Sequence, residues 1–445
     1  MYHLKMKDVY KKSPSLGKKH QLVPTASLCY SPPSSGGWGI VKAALLVPES
    51  VLLFVSPHGC GRHGSIAAFQ KEFDEHVFYY SIVESDIVIG THMQKIEKVV
   101  EQIMERLDYV PKAFTICATC IDDLLASDYT SVVRMLTKKY NIPFGECHMN
   151  PISKESTTPP GLGVQRTIYR YLTDYEVHAN KLKDKTVNII GSYAPLAKEC
   201  ELYFVLQEAG YKRVYHVASC ENFEDFLGMS RSERNLLIKP LGSLACKEMK
   251  KKLDIPFSKV LLKYDLEEII GNYKQLEQDF GCKLNYEKYH IQCLKRIERF
   301  KEKMQGVTVG IGSSINAFTF ELAVALIHFG CTIKFMMSDR AMQGDMISQY
   351  EWKYAEFLRI NHPNIPIYTS AHPSMSTKET IQEKPDVAIG FDAAYISDST
   401  HLFYLDMDEQ HYGFEAVHHL LDGIEKAYET TVDLKQEVYA KSLVV

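Results

Sequence analysis

The stretch "VNIIGSYAPLAKECELYFVLQEAGYKRVYHV" (187–217) decides the fold. It opens on a β-branched run that stops at Gly191, continues as an amphipathic segment, and turns again at Gly210, nineteen positions on, before a second short run. An apolar strand followed by a helix of that length brings the chain back to the same sheet, which is a parallel βαβ crossover. "VTVGIGSSINAFTFELAVALIHFGCTIKFMM" (307–337) repeats the pattern, with Gly312 and Gly330 eighteen apart. "PDVAIGFDAAY" (385–395) starts another strand and turn, and "LLFVSPHGCGRHGSIAAF" (52–69) is a third instance that carries a thiol in its turn. The pattern predicts an α/β chain of three Rossmann-like domains with parallel sheets, over residues 21–180, 181–300 and 301–430. A basic arm, either flexible or a strap over a partner, is expected over 1–20 and a tail over 431–445. Neither glycine turn matches GxGxxG and no acidic residue stands at the ribose position, so the glycines are read as tight strand-to-helix turns.

Composition bounds the function. With 445 residues, 45% hydrophobic and 24% charged, the chain is long enough for two or three cores and needs no disulfide staples. A net charge of −4 provides no basic field for nucleic acid. The most apolar early run, "AALLVPESVLLFVS" (43–56), is broken by Pro48, Glu49 and Ser50 well short of a membrane span. No signal-peptide pattern opens the sequence, so a cytoplasmic protein without membrane partners is expected. The eleven cysteines are then buried apolar residues, metal ligands or redox thiols. Cys200, Cys246, Cys293 and Cys331 fall in helical or strand-like patterns where a small hydrophobe suffices.

Three cysteines differ, because each stands where a strand has just ended. Cys29 follows "TASLC", Cys60 lies in "HGCG", and Cys120 ends "FTICATC" before "IDDLLASD". Such loops gather at the carboxyl edge of a parallel sheet, which is where these sheets bind ligands. Gly59 and Gly61 would permit a positive-φ turn and let the backbone approach a bulky ligand, with a helix from about Gly64 directing its N–H groups at it. An iron–sulfur cluster needs these features, and three thiolates are one short of a full set. An Asp, a Ser, another cysteine or a second subunit would supply the missing ligand. Cys117 and Cys120 also form a CxxC, yet Cys117 follows the strand-like "AFTI" and is expected to be buried, which disfavours a thioredoxin-like couple. No second CxxC or close His pair completes a zinc site.

The order of these segments resembles the nitrogenase component 1 family: a Cys-aromatic loop, an HGC-G turn, "ATCIDDLLASD" (118–128), then two glycine-turn Rossmann units. "ESDIVIG" (84–90), "GLGVQRTIYRYL" (161–172), "KKLDIPF" (251–257) and "HYGFEAVHHLLDGI" (411–424) add to the likeness, which spans about residues 21–425. The family includes nitrogenase subunits, cofactor-assembly scaffolds and tetrapyrrole reductases. The resemblance implies a homologous or identical partner subunit, a cluster at the interface, and electrons from an ATP-dependent iron protein. It implies that Cys29, Cys60 and Cys120 bind a 4Fe–4S cluster or a P-cluster-like 8Fe–7S cluster, with Gly59 and Gly61 holding Cys60 against it.

Departures limit the reaction. The place matching the family's cofactor cysteine falls near Ile238 and Lys239, with Cys246 too late, and "LFYLDMDEQ" (402–410) stands where the cofactor histidine is expected. Dinitrogen reduction is therefore not expected. The reading is an iron–sulfur subunit of a nitrogenase-like reductase acting on a small molecule or tetrapyrrole-like substrate, and the alternative is a non-catalytic scaffold for cofactor assembly. The chain has no GxxxxGK[ST] loop, so ATP hydrolysis would belong to a separate protein. His58, His63, Glu84 and Asp86 lie near the thiols and are read first as structural polar residues, as are His411, His418 and His419.

Overall fold

The computed structural model describes residues 4–9, 43–61, 65, 74–149, 160–174, 183–338, 350–369, 381, 384–405 and 410–441. Cys29 and His63 lie outside the described residues. The first strand, β1 (Leu4–Lys5), is short and belongs to the last sheet.

β2 (Ser50–Pro57), β3 (Val77–Ile82), β4 (Ala113–Thr119) and β5 (Phe144–Met149) form the first sheet, entirely parallel, in the order β3-β2-β4-β5. All seven residues of β4 are buried, as are seven of the eight in β2, because helices cover both faces of a parallel sheet. Ile96, Val100 and Ile103 recur at helical spacing on His92–Arg106 and pack with Val133 and Leu136 of Tyr129–Tyr140 onto Val51, Leu53, Phe114 and Ile116.

The second sheet repeats the arrangement. β6 (Asp184–Ile190), β7 (Arg213–Tyr215), β8 (Ser232–Leu237) and β9 (Phe257–Lys259) are parallel in the order β7-β6-β8-β9. The third sheet contains β10 (Thr308–Ile311), β11 (Thr332–Met337), β12 (Pro366–Tyr368), β13 (Val387–Ile389) and β14 (Leu402–Phe403), in the order β1-β12-β11-β10-β13-β14. Only β1 runs antiparallel there.

Two expectations about chain segments are corrected. Residues 4–9 are no loose arm: Leu4 pairs with Ile367, the Met6 N–H donates to Ile365 O at 3.0 Å, and Met6 and Val9 are buried. Alternating apolar residues among the lysines give this segment one buried face. The helix after β6, Glu201–Glu208, is the second correction. Residues 36–195 and 210–261 form one compact unit with the first two sheets, whereas 196–209 and 262–445 form a second with the third sheet. Glu201–Glu208 thus belongs to the unit of the third sheet and not to that of β6.

A buried carboxylate holds that helix in its unit. Glu201 accepts from the Tyr273 hydroxyl at 2.7 Å, the Phe414 N–H at 2.7 Å and the Glu415 N–H at 3.0 Å, satisfying the first amides of helix Gly413–Glu429. Tyr273 and Phe414 stack over it with centroids 5.6 Å apart. Gly413 has φ +68°, and a Cβ there would fall on the Glu201 carboxylate. Gly413→Ala is expected to cost about 2–4 kcal/mol, from left-handed strain plus displacement of this cap. Urea unfolding should show the lower midpoint; an unchanged midpoint would remove the cap from its structural role.

Candidate functional site

β2 and β4 are neighbours in the first sheet, with Phe54 opposite Cys117, and the chain leaves them in opposite directions, towards β3 and towards β5. A crevice between diverging connections is the ligand position of such sheets. Cys60 stands just beyond β2 and Cys120 just beyond β4. Both thiols are partly exposed. Burial, and after it the charge of Cys120, raise the Cys60 thiol above its ordinary range, so the two sulfurs lie within each other's field although sixty residues separate them. The structure sets these two predicted residues just beyond the ends of neighbouring strands.

The local backbone differs from expectation. Residues 58–61 are already helical, so Cys60 lies in the first turn of a helix that begins six residues before Gly64. Neither Gly59 nor Gly61 has a positive φ. Their role is space: a Cβ on Gly59 meets nothing within 4 Å among the described residues, and one on Gly61 would stand 3.2 Å from Ser56 Oγ. Cys117 is fully buried and faces Cys147 across the ladder, also buried, so the CxxC does not present two accessible thiols. Cys200, Cys246, Cys293 and Cys331 are buried as expected.

Beneath Cys120 lies a polar network that the sequence reading missed. Asp122, 1% exposed, accepts from the Thr119 N–H at 3.1 Å and the Tyr129 hydroxyl at 3.0 Å, and its Oδ1 is 3.3 Å from His92 Nε2. His92 Nε2 also lies 3.3 Å from Ser127 Oγ. Together these bonds fix where helix Cys120–Leu125 starts. Its sequence signal was the Thr-x-x-Asp spacing of 119–122, a capping pattern. Asp86 is tied to Lys95 at 2.6 Å and Thr91 at 3.0 Å, and His58 Nδ1 lies 3.5 Å from Ser81 Oγ, so both have structural partners. Glu84 is exposed. His411 pairs with Glu415 at 2.6 Å and stacks on His419.

The donor set suits a thiolate-bound metal group, since two close thiols are costly to ionise together without a cation and inexpensive with one. Among the described residues no group of three or more His, Cys, Asp or Glu donors converges, and Cys29 is not among them. On the segments that follow β3 and β4, Val83, Val88, Ile89, Leu124 and Leu125 are exposed apolar side chains, Val88 85% and Leu124 78%.

The corresponding crevices of the other sheets hold different groups. Between β6 and β8, Gly191 (φ +112°) lies against the backbone of Lys239, where a Cβ would stand 2.6 Å from Lys239 O. Between β10 and β13, the buried Asp392 carboxylate accepts from Ser313 N–H at 2.7 Å, Ser313 Oγ–H at 2.8 Å and Ser314 N–H at 3.2 Å.

A family model for "nitrogenase component 1 type oxidoreductase" matches residues 36–402. The chain belongs to that family. The nitrogenase iron-molybdenum cofactor biosynthesis protein NifE of Rippkaea orientalis is 23% identical over 220 residues, covering 49% of this chain and 45% of that protein. The chain thus matches about half the length of this curated relative. Two solved structures share the fold: "Nitrogenase Cp1 at pH 6.5", with TM-score 0.67, 15% identity and coverage of 94% of this chain and 96% of that one, and "Nitrogenase Cp1 at pH 5", with TM-score 0.58, 18% identity and coverage of 94% and 93%. Within this nitrogenase component 1 type chain, Ile238 is buried, Lys239 follows it beyond β8, and Cys246 is buried on helix Ser243–Leu253. No helix among the described residues is long and apolar enough to cross a membrane.

Two outcomes test this edge of the molecule. Asp122→Ala leaves a buried amide, a hydroxyl and an imidazole without their acceptor and is expected to cost about 3 kcal/mol, against less for Asp122→Asn; equal stability of both variants and wild type in urea would exclude the network. His216, beside Ser192 in the second sheet, has its pKa lowered to about 4 from 6.5 by burial. Between those values the unfolded chain holds a proton that the folded chain does not, so stability falls as pH drops from 6.5 to 4, by about 3 kcal/mol in full. Unfolding midpoints across that range should lose this component in His216→Gln.

Proposed function

We propose that this chain is an iron–sulfur subunit of a nitrogenase-like reductase, with Cys60, Cys120 and Cys29 as thiolate ligands of a cluster shared with a second component 1 subunit. What supports the reading is that Cys60 and Cys120 follow the two neighbouring strands at which the first sheet reverses its order, with the charge of Cys120 felt at the Cys60 thiol. A bound cluster supplies one-electron transfer. The chain's own residues do the positioning: Asp122, His92 and Tyr129 fix the start of the Cys120 helix, and Gly59 leaves room beside Cys60. Val83, Val88, Ile89, Leu124 and Leu125 give a homologous or identical subunit an apolar rim to cover. Electrons would come from a separate ATP-dependent iron protein, and the substrate would be a small molecule or tetrapyrrole-like compound, not dinitrogen.

A second reading, a scaffold on which a larger cluster is built, is favoured by the biosynthetic relative. It uses the same thiols, so one experiment serves both. Anaerobically purified protein is expected to contain iron and to give an electron paramagnetic resonance signal, and Cys60→Ala and Cys120→Ala to lose most of each while staying folded. An iron-free wild type, or variants that match it, would end both readings. Turnover with an iron protein, ATP and reductant selects the reductase; transfer of the cluster to an acceptor without turnover selects the scaffold.

A further inference from the structure

We propose that the open edge of the first sheet binds a phosphate monoester with a hydroxylated body, a molecule of the sugar-phosphate class. β5 ends that sheet and pairs with β4 alone. A cavity of about 430 Å³ lies against it, lined by helices Tyr129–Tyr140 and Pro160–Asp174 as well as by the strand. All three elements belong to one compact unit. Thr130, Val133, Arg134, Thr137 and Lys138 form the first wall, at the three- and four-residue spacings of a single helix face. Arg170 and Asp174 come from the second helix, and Phe144 and Glu146 from β5.

A free strand edge invites an added strand, but this one is already engaged. Phe144 N–H donates to Thr137 Oγ1 at 3.1 Å, and Thr167 Oγ1–H donates to Glu146 O at 2.6 Å. A threonine from each helix thus takes a backbone group that an incoming strand would need. What remains is a small-molecule site, and its volume is in the range of such sites.

The polar groups of the lining are unevenly paired. Arg170 is tied to Asp174 at 3.2 Å, and Lys252 also lies 3.6 Å from that carboxylate. Arg134 and Lys138, both exposed, make no ion pair and no side-chain hydrogen bond among the described residues. The field of Arg134 reaches Asp128, whose oxygens are taken by Ser131. Glu146 has the opposite need: its Oε1 accepts from Thr130 Oγ1 at 3.1 Å, while its Oε2 is buried with no partner among the described residues. A carboxylate oxygen withdrawn from water calls for a donor.

These needs select the ligand class. Two unpaired cations, one of them a guanidinium, match a phosphate dianion, and Glu146 calls for a hydroxyl on the body of the same molecule. A nucleobase is not favoured, because Phe144, the aromatic residue of the lining, is 1% exposed and offers no ring face for stacking. The site uses neither Cys60 nor Cys120, and its test needs no iron.

The test is thermal unfolding of the full chain at constant ionic strength with glycerol 3-phosphate, ribose 5-phosphate and glucose 6-phosphate. Inorganic phosphate, adenosine monophosphate and the three unphosphorylated polyols are the parallel arms. At least one sugar phosphate is expected to raise the wild-type midpoint more than inorganic phosphate or adenosine monophosphate does, and the polyols to leave it unchanged. Arg134→Gln and Lys138→Gln, at exposed and unpaired positions, should unfold as wild type without additive and need about tenfold more sugar phosphate for the same shift. Glu146→Ala should keep the inorganic phosphate response and lose the added effect of the sugar; if it does not fold, the two cation variants decide. No wild-type response to any sugar phosphate, a response no larger than that to inorganic phosphate or adenosine monophosphate, cation variants that respond as wild type, or a Glu146→Ala protein that keeps the sugar's added effect would overturn the proposal.

Discussion

A parallel sheet can reverse its strand order only where two neighbouring strands send their connections to opposite sides, and no helix can then cover the gap between their carboxyl ends. Each of the three sheets has one such pair: β2 and β4, β6 and β8, β10 and β13. The reversal is a topological consequence of right-handed crossovers, and it leaves an uncovered spot that side chains, a ligand or solvent must fill. Two thiols stand at the first, a glycine and a lysine at the second, and a serine turn with an aspartate at the third.

The third crevice explains why a glycine turn need not mean a nucleotide. Turn amides that would face an anionic ligand in an open site donate here to Asp392, a carboxylate from the same chain. Burial raises that carboxyl and the hydrogen bonds from Ser313 and Ser314 oppose the rise. A Cβ on Gly312 would collide with Asp392, so glycine is required for the plug and not for a pyrophosphate. The second crevice is closed differently: there Gly191 lies against the backbone of Lys239.

Much of this was legible in the sequence, because its periodicities are those of buried strands and tight turns. Gly191, Gly210, Gly330 and Gly390 end elements with positive φ where their spacing predicts. Cys60 and Cys120 could be picked out because each follows an uninterrupted apolar run. What escaped were features set by partners distant in sequence. "HGCG" reads as a flexible turn, yet helix residues begin at 58 because the chain passes directly from β2 into a helix. Nothing local in the sequence tells that Gly191 will press against the backbone of Lys239. The allegiance of Glu201–Glu208 depends on amides more than two hundred residues away.

The same topology also sorts the cysteines without appeal to their neighbours in sequence. Cys117 and Cys147 lie within β4 and β5, where both faces are covered, and their side chains are parts of the core. Burial pushes Cys293 and Cys331 up to about 12 and Cys200 and Cys246 upward as well, which keeps these thiols protonated at neutral pH. Cys120 is only three residues beyond Cys117, yet it has passed the end of the ladder and emerged at the reversal. A thiolate that is to bind a cation must be reachable and must be repelled by something the cation can neutralise. Cys60 and Cys120 are both partly exposed and stand just beyond neighbouring strands, and the charge of Cys120 adds to burial in raising the Cys60 thiol.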